Sequence, residues 1–338
     1  MRIRVRNVTN PGGVAYGTVS VTSDLEDADL FMDGGPIGRI GEGSLTLERV
    51  SAGEHEFTAR DAAGAELRRA VNVVADRTSL VRLAPPDAER AAHYRLEPLG
   101  KNPQGYETYR RGSDGVVVVQ IPAGEFLMGN HQTERTPFEH PVHVSEFLMD
   151  ETGVTWGQFK VFAEASGVPL PLHNPYWGVL DDHPMIYVTW EEARSYCSWA
   201  GGRLPTEAER EKGARGTDER KYPWGDEAPD PERAVFRRSW GKEATSAVGA
   251  HPAGASPYGL QDMGGNVWEW CADWYDGDYY ESSPHRDPKG PPMGNAHVVR
   301  GGSWDSRPDV LSSSCRSWGH RGYRDGDFGF RCAMDAPR

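Results

Sequence analysis

Two groups of side chains have the types that catalysis or metal binding needs. His131, His140 and His143 lie close together in sequence and could bind a metal or act as bases. Serine, histidine and aspartate are also frequent from 303 to 327, but a nucleophile, its base and an orienting acid cannot be paired without their geometry. Because residues 141–144 alternate as a strand does, a structural role is favoured for the three histidines.

The four cysteines are the other reactive groups. Cys197, Cys271, Cys315 and Cys332 include no Cys-x-x-Cys pair, which makes a zinc site unexpected. Four cysteines in 338 residues are also too few for a fold built on disulfides. Their chemistry therefore depends on where the fold places them.

The composition indicates a globular chain of two domains with many turns. Its 338 residues exceed one small domain, and 40 Gly with 25 Pro favour a loop-rich fold. A net charge of -13 disfavours nucleic acid or an anionic membrane as a partner. We find no apolar run that could span a membrane and no apolar core of a Sec signal at the start. We therefore expect a cytoplasmic protein, or one released without a Sec signal.

The first domain, predicted over 1–85, consists of strands and turns. Val19 and Val21 alternate with polar residues, as later segments do, and turn signals separate these segments. Since no helical period interrupts the pattern, the sequence predicts a small all-β domain. Residues 86–114 combine proline, charged residues and turn residues, which predicts a linker.

The second domain, 115–338, begins with a buried strand and contains three predicted helices. Thr189 and Thr206 each precede a glutamate by three residues, which is the capping box that starts a helix. Thr155 precedes the third helix. The remainder is rich in turns and tryptophan, so the sequence predicts an α+β domain with much irregular structure.

Six ordered motifs make the second domain resemble the formylglycine-generating-enzyme family, the sulfatase-modifying factors. They are Ile121-Pro122-Ala123-Gly124-Glu125-Phe126-Leu127-Met128-Gly129, Gly202-Arg203-Leu204-Pro205-Thr206-Glu207-Ala208-Glu209, Pro223-Trp224-Gly225-Asp226, Gly265-Asn266-Val267-Trp268-Glu269-Trp270, Arg300-Gly301-Gly302-Ser303-Trp304 and Gly329-Phe330-Arg331. This resemblance implies a C-type-lectin-like fold in which the last strands return beside the first. The first domain resembles PEGA-type β-sandwich domains, which implies a spacer or a surface-binding module without chemistry.

The active enzymes of that family oxidise a substrate cysteine with copper held by two cysteines. The corresponding positions here hold Ser306 and Leu311, and neither replaces a thiolate at copper(I). Cys315 is nearby but single, so no copper is expected. Another branch forms carbon–sulfur bonds at an iron held by a His-x-x-x-His-x-Glu helix, which the β-rich first domain lacks. The resemblance favours a non-catalytic member, with a cysteine-oxidising enzyme as the alternative.

The resemblance also implies a structural calcium ion. Four positions match those that supply calcium with side-chain and backbone oxygens in the enzymes: Asp262, Gly265, Val267 and Glu269. A carboxylate pair in this turn would repel unless a cation neutralised it; the alternative is that 264–265 only turns the chain. Cys197 and Cys332 match a pair that is bridged in exported members, and two buried thiols are the alternative.

The segment 303–331 resembles the variable region of lectin-fold proteins from diversity-generating retroelements. In those proteins adenine randomisation turns AAC codons into NNC codons, which never encode Lys, Glu, Gln, Met or Trp. Permitted residues fill twelve positions between the motif anchors: Asp305, Ser306, Arg307, Val310, Cys315, Ser317, Gly319, His320, Tyr323, Asp325, Gly326 and Asp327. We expect them to form one outward surface that binds an unknown protein or surface ligand, with Trp304 and Trp318 as buried framework.

Overall fold

The computed structural model describes residues 2–4, 16–23, 28–40, 45–61, 66–75, 78–83, 95–130, 138–171, 180–241 and 243–336. The chain divides into two compact units, Met1–Ala92 and His93–Arg338. No helix within the described ranges is long and apolar enough to cross a membrane.

The described part of the first unit is all strand and turn, as predicted. Its strands are β1 (Arg2–Arg4), β2 (Tyr16–Ser23), β3 (Ala28–Met32), β4 (Gly35–Ile40), β5 (Leu45–Ser51), β6 (Gly53–Arg60), β7 (Glu66–Val73) and β8 (Thr78–Leu83). They form two four-stranded sheets, in the orders β1-β5-β2-β8 and β4-β3-β6-β7. Val19 and Val21 from one sheet and Leu30 and Phe57 from the other share one apolar core. The alternating pattern therefore gives each sheet one buried face.

The second unit begins earlier than the sequence predicts. Much of the expected linker 86–114 forms two antiparallel strands, β9 (Leu96–Lys101) and β10 (Glu107–Arg111). Two charged residues of this segment are buried here. The Arg111 guanidinium forms ion pairs with Asp114 and with Asp150, and all three side chains are fully buried. A charge that is paired in this way is compatible with a strand in a core.

The remaining strands form three sheets. They are β11 (Val117–Ile121), β12 (Gly124–Met128), β13 (His140–Val144), β14 (Phe147–Asp150), β15 (Trp268–Trp274), β16 (His297–Arg300), β17 (Arg316–Gly319), β18 (Phe328–Gly329) and β19 (Ala333–Asp335). The orders are β19-β14-β11-β10-β9, β12-β13 and β17-β16-β15-β18. Since β19 pairs with β14, which pairs with β11, the last strand returns beside the first ones as expected.

Three helices pack against these sheets, and threonine caps start all of them. They are α1 (Trp156–Ser166), α2 (Trp190–Trp199) and α3 (Glu207–Arg215). Thr155, Thr189 and Thr206 each accept a hydrogen bond from the backbone N–H three residues later, in complete capping boxes. Gly167 ends α1 in the left-handed conformation, at a φ of 72°.

A disulfide fixes the end of the chain to α2. Cys197 of α2 is bonded to Cys332, the residue before β19. The sequence left this pair open between a bridge and two thiols, and the structure has the bridge. Cys271 and Cys315 are not part of a disulfide, and both are buried.

The residues predicted to bind calcium lie at a buried ion cluster that contains two arginines. Glu269 of β15 accepts hydrogen bonds from Arg210 Nε at 2.7 Å and from Arg331 Nε and Nη2 at 2.8–3.0 Å. Burial by itself raises the pKa of Glu269, but the two guanidinium groups hold it below its ordinary value. The Gly265 carbonyl accepts from Val267 N, and Asp262 Oδ2 accepts from Gly249 N at 2.7 Å.

This arrangement does not fit the predicted calcium site. Both carboxylate oxygens of Glu269 already accept hydrogen bonds from arginines, so they do not form an open set of ligands. The physical reason given for calcium, an unneutralised carboxylate pair, does not hold at Glu269, because Arg210 and Arg331 supply positive charge there. Among the described residues no group of three or more His, Cys, Asp or Glu side chains could hold a metal ion.

We predict that EGTA leaves the melting temperature of this protein unchanged and that elemental analysis finds no bound calcium. A cation that binds only the folded state would raise the melting temperature by mass action. The arginines make that cation unnecessary at Glu269. EGTA already saturated with calcium is the matched control. A melting temperature that falls with EGTA and recovers with added calcium would contradict this prediction.

Candidate functional site

The segment 303–331 is held at its start by two buried glycines and a buried tryptophan. Gly301 and Gly302 have φ values of 100° and 74°, in the left-handed region that favours glycine. Trp304 is 6% exposed; its backbone N–H donates to the Asn266 carbonyl, and its indole Nε1 donates to the Gly326 carbonyl at 3.0 Å. Trp304 is therefore a framework residue, as predicted.

Trp318 was predicted to be buried, and that prediction is wrong. Its side chain is 49% exposed. Trp318 lies on β17, the edge strand of its sheet, and the rings near it are Tyr275 at 6.4 Å and His320 at 5.4 Å between centroids. These two rings cover only part of the Trp318 side chain and leave the rest open to solvent. Trp318 therefore belongs to the surface.

Eight of the twelve predicted ligand-binding residues are exposed or half-buried. They are Asp305, Ser306, Arg307, Ser317, His320, Tyr323, Asp325 and Asp327. The other four are buried, so the expectation that they point outward is wrong: Val310, Cys315, Gly319 and Gly326. Val310 and Cys315 belong to the main apolar core. A Cβ atom at Gly319 would lie 2.5 Å from the Trp270 ring, and one at Gly326 would lie 2.3 Å from the Trp240 ring.

One cleft of about 380 Å³ brings together five of the predicted residues. Its lining consists of Trp318, Gly319, His320, Tyr323, Asp325, Asp327 and Phe328. We call this cavity the aromatic–acidic cleft. Sequence reasoning missed Trp318 and Phe328 as lining residues, because NNC codons exclude tryptophan and because Phe328 adjoins a motif anchor. The signal that could have found them is the density of aromatic residues in a segment without strand or helix period.

The carboxylates of the cleft are bonded to hydroxyl and backbone groups. Asp325 accepts from Tyr323 Oη and from Gly326 N, both at 2.6 Å. Ser303 Oγ lies 2.7 Å from an Asp305 oxygen and 3.2 Å from an Asp327 oxygen. Burial, followed by the charges of Asp325 and Asp305, raises the pKa of Asp327 to about 7. The hydrogen bond to Asp325 raises the pKa of Tyr323 to about 12.

The positions that would hold copper contain no thiol group. Ser306 Oγ accepts from Ser303 N at 2.9 Å, and Leu311 is fully buried in apolar surroundings. Burial also raises the pKa of Cys271 far above its ordinary value, which disfavours the thiolate that binds metals. No serine from 303 to 327 hydrogen bonds to a histidine in the described structure, so this segment contains no paired serine and histidine of the kind a triad needs.

The three histidines near the start of the second domain do not form a described site. His140 and His143 lie on β13, and His131 lies outside the described residues. The His140 ring packs at 4.8 Å from Tyr280, and burial lowers its pKa. This position on a paired strand agrees with the structural role that the sequence favours.

Two named relatives share the second domain. A formylglycine-generating enzyme of Streptomyces coelicolor is 34% identical over 279 residues, which cover 64% of this chain and 89% of that protein. A protein of Chlamydia caviae named serine/threonine-protein kinase pkn1 is 38% identical over 240 residues, which cover 64% of this chain. The match covers only 37% of that Chlamydia protein.

Solved structures agree with the predicted fold. PvdO from Pseudomonas aeruginosa matches with a TM-score of 0.61 and 26% identity, over 68% of this chain and 98% of PvdO. Treponema denticola variable protein 1 matches with a TM-score of 0.55 and 24% identity, over the same shares. The α+β, C-type-lectin-like fold is therefore confirmed.

One family model, described as the sulfatase-modifying factor enzyme 1-like domain, matches residues 107–336. The match begins at the first residue of β10, before the start that the sequence predicts for the second domain. Because it spans more than half of the 338 residues, the chain belongs to the family of sulfatase-modifying factor enzyme 1-like domains.

Proposed function

We propose that this protein is a non-catalytic member of its family, which binds a protein or surface ligand through the segment 303–331. The observation that carries the proposal is the chemistry at two positions. Ser306 and Leu311 stand where the resembled enzymes have copper-binding cysteines, and the buried Leu311 side chain offers no metal ligand. Four of the exposed or half-buried predicted residues of the same segment line the aromatic–acidic cleft instead: His320, Tyr323, Asp325 and Asp327. Clefts with a few polar groups are where ligands bind.

Variation of the segment between copies of the gene is the second part of the proposal. The twelve positions hold only residues that a randomised NNC codon permits. Their backbone is fixed by buried anchors, so exposed side chains can change without loss of the fold. Treponema denticola variable protein 1 has the same fold. This likeness supports the proposal that the fold can carry a variable segment.

We predict no turnover when the protein is incubated with copper(I) and a Cys-x-Pro-x-Arg peptide. Copper(I) needs soft thiolate ligands, and the two positions offer a hydroxyl and a hydrocarbon. Mass spectrometry of the peptide measures conversion of its cysteine. The Streptomyces coelicolor enzyme, assayed in parallel, is the positive control. Repeated turnover by this protein would overturn the proposed function in favour of a cysteine-oxidising enzyme.

Substitution of the two tryptophans should separate framework from surface. Trp304→Ala should lower the free energy of unfolding by about 3–5 kcal/mol, because it empties a buried site. Trp318→Ala should change it by only about 0.5 kcal/mol, because half of that side chain is already exposed. Urea unfolding of both variants measures the difference. Equal losses would show that Trp318 is also framework, and the surface would then have to be redrawn.

Sequencing of the gene from independent clones of its natural population tests the proposed variation. We expect differences at codons of the exposed positions, with the Trp304 and Trp318 codons constant. A nearby reverse transcriptase gene and an adenine-rich near-copy of the codons for 303–331 should accompany them. Identical sequences in all clones, without a reverse transcriptase gene nearby, would contradict variation and leave a binding protein of fixed sequence.

A further inference from the structure

The aromatic–acidic cleft presents aromatic ring faces to solvent. Trp318 is 49% exposed and Tyr323 is 46% exposed. Phe328 packs edge-on against Tyr323, with 5.5 Å between ring centroids, and closes the inner end of the wall. Rings of this size are among the largest contributors to binding interfaces, since they bury much apolar area at low entropic cost.

The carboxylates beside these rings have no basic partner. Neither Asp305 nor Asp325 nor Asp327 forms a salt bridge within the described part of the chain. Two other carboxylates of the second unit do have basic partners. Glu211 and Glu269, both fully buried, each form ion pairs with arginines. The cleft is therefore a place where negative charge is left without a positive neighbour.

The basic residues that are adjacent in sequence do not supply that charge. Arg321 Nε lies 2.8 Å from Glu191, and Arg324 makes two hydrogen bonds of 2.7 Å to Glu192. Both glutamates belong to α2, so these ion pairs attach the segment to the helix. Among the seven residues that line the cleft, none is a lysine or an arginine.

We propose that the cleft binds a cationic side chain of a partner protein, an arginine in this sequence variant. The inference rests on the proposed function, whose ligand class it names. A guanidinium group stacks on aromatic rings and donates paired hydrogen bonds to a carboxylate, so its two properties match the two kinds of wall. A volume of about 380 Å³ is enough for one such side chain and its backbone.

The ionisation of Asp327 agrees with this ligand. Its pKa is raised to about 7 by burial and by Asp325 and Asp305. Ser303 Oγ lies 3.2 Å from Asp327, the Tyr187 and Tyr323 hydroxyls interact with its charge, and His320 lines the same cleft. A bound cation favours the carboxylate form. Binding should therefore release protons near pH 7 and should weaken as the pH falls below that value.

The test compares two amino-acid probes whose termini are blocked and uncharged. Their side chains have nearly the same shape and differ in charge. N-acetyl-arginine amide and N-acetyl-citrulline amide are titrated into the full chain at pH 8, and the Trp318 indole NMR signal, assigned with Trp318→Phe, reports binding. We expect a dissociation constant on the order of 1–10 mM for the arginine probe, since one side chain offers few contacts. The citrulline probe should bind at least about tenfold more weakly.

Variants of the cleft complete the test. Asp325→Asn together with Asp327→Asn should weaken arginine binding about tenfold or more. Asp309→Asn is the matched control, because Asp309 is an exposed aspartate of the same segment that does not line the cleft. Circular dichroism checks folding, and each single Asn variant stands in if the double variant does not fold.

Three results would overturn the inference. These are equal binding of both probes, unchanged arginine binding by the folded Asn variants, and no arginine binding up to about 50 mM. Each of them leaves the proposed function standing if the peptide is not oxidised in the copper assay. Turnover in that assay, in contrast, would overturn the proposed function itself, so the two failures are distinguishable.

Discussion

The buried ion cluster at Glu269 holds the end of the segment 303–331, on which the proposed recognition depends. Arg331 lies at the end of the segment 303–331, and its guanidinium donates to Glu269 and to the carbonyls of Asp150 and Gln261. Arg210 lies beside the start of the segment, where a Cβ atom at Gly301 would come within 2.8 Å of its Nη2. Glu269 thus holds the end of the segment through Arg331, and Arg210 packs beside its start. Loss of a partner from such a buried cluster costs about 3–5 kcal/mol, so the ends have little freedom to move.

The helix α3 holds the middle of the segment 303–331 in place. Its surface is polar but entirely buried, which is unusual for a helix. Glu207 binds Arg316 of β17 through two hydrogen bonds of 2.8 Å, and Glu211 pairs with Arg300 of β16. Arg300 in turn donates to the carbonyls of Ser314 and Cys315. The helix therefore positions the start of β17 and, through Arg300, the backbone of 314–315 before it, and it does so through charge-assisted hydrogen bonds.

The sequence predicted those features of the fold that depend on residues close together in the chain. The threonine caps placed all three helices, and alternation placed the buried faces of the first unit, because both depend on neighbours within a few residues. The exposure of Trp318 and the burial of Gly326 depend on the edge position of β17 and on Trp240, far away in sequence. Codon composition could not detect either. The strands within 86–114 were missed because a paired, buried Arg111 looks like a solvated one.

Because buried groups fix the backbone of the segment 303–331, the cleft can carry side chains that do not favour folding. Exposed rings and a crowded trio of carboxylates contribute little to stability, and the raised pKa of Asp327 shows that its ionised form is disfavoured in the folded chain. A loop held only by its own side chains would rearrange to relieve these contacts. Here the backbone is held by the Glu269 cluster, by α3 and by the disulfide at Cys332. The side chains above are thereby free to be chosen for a ligand, and what they present together is aromatic area beside unpaired negative charge.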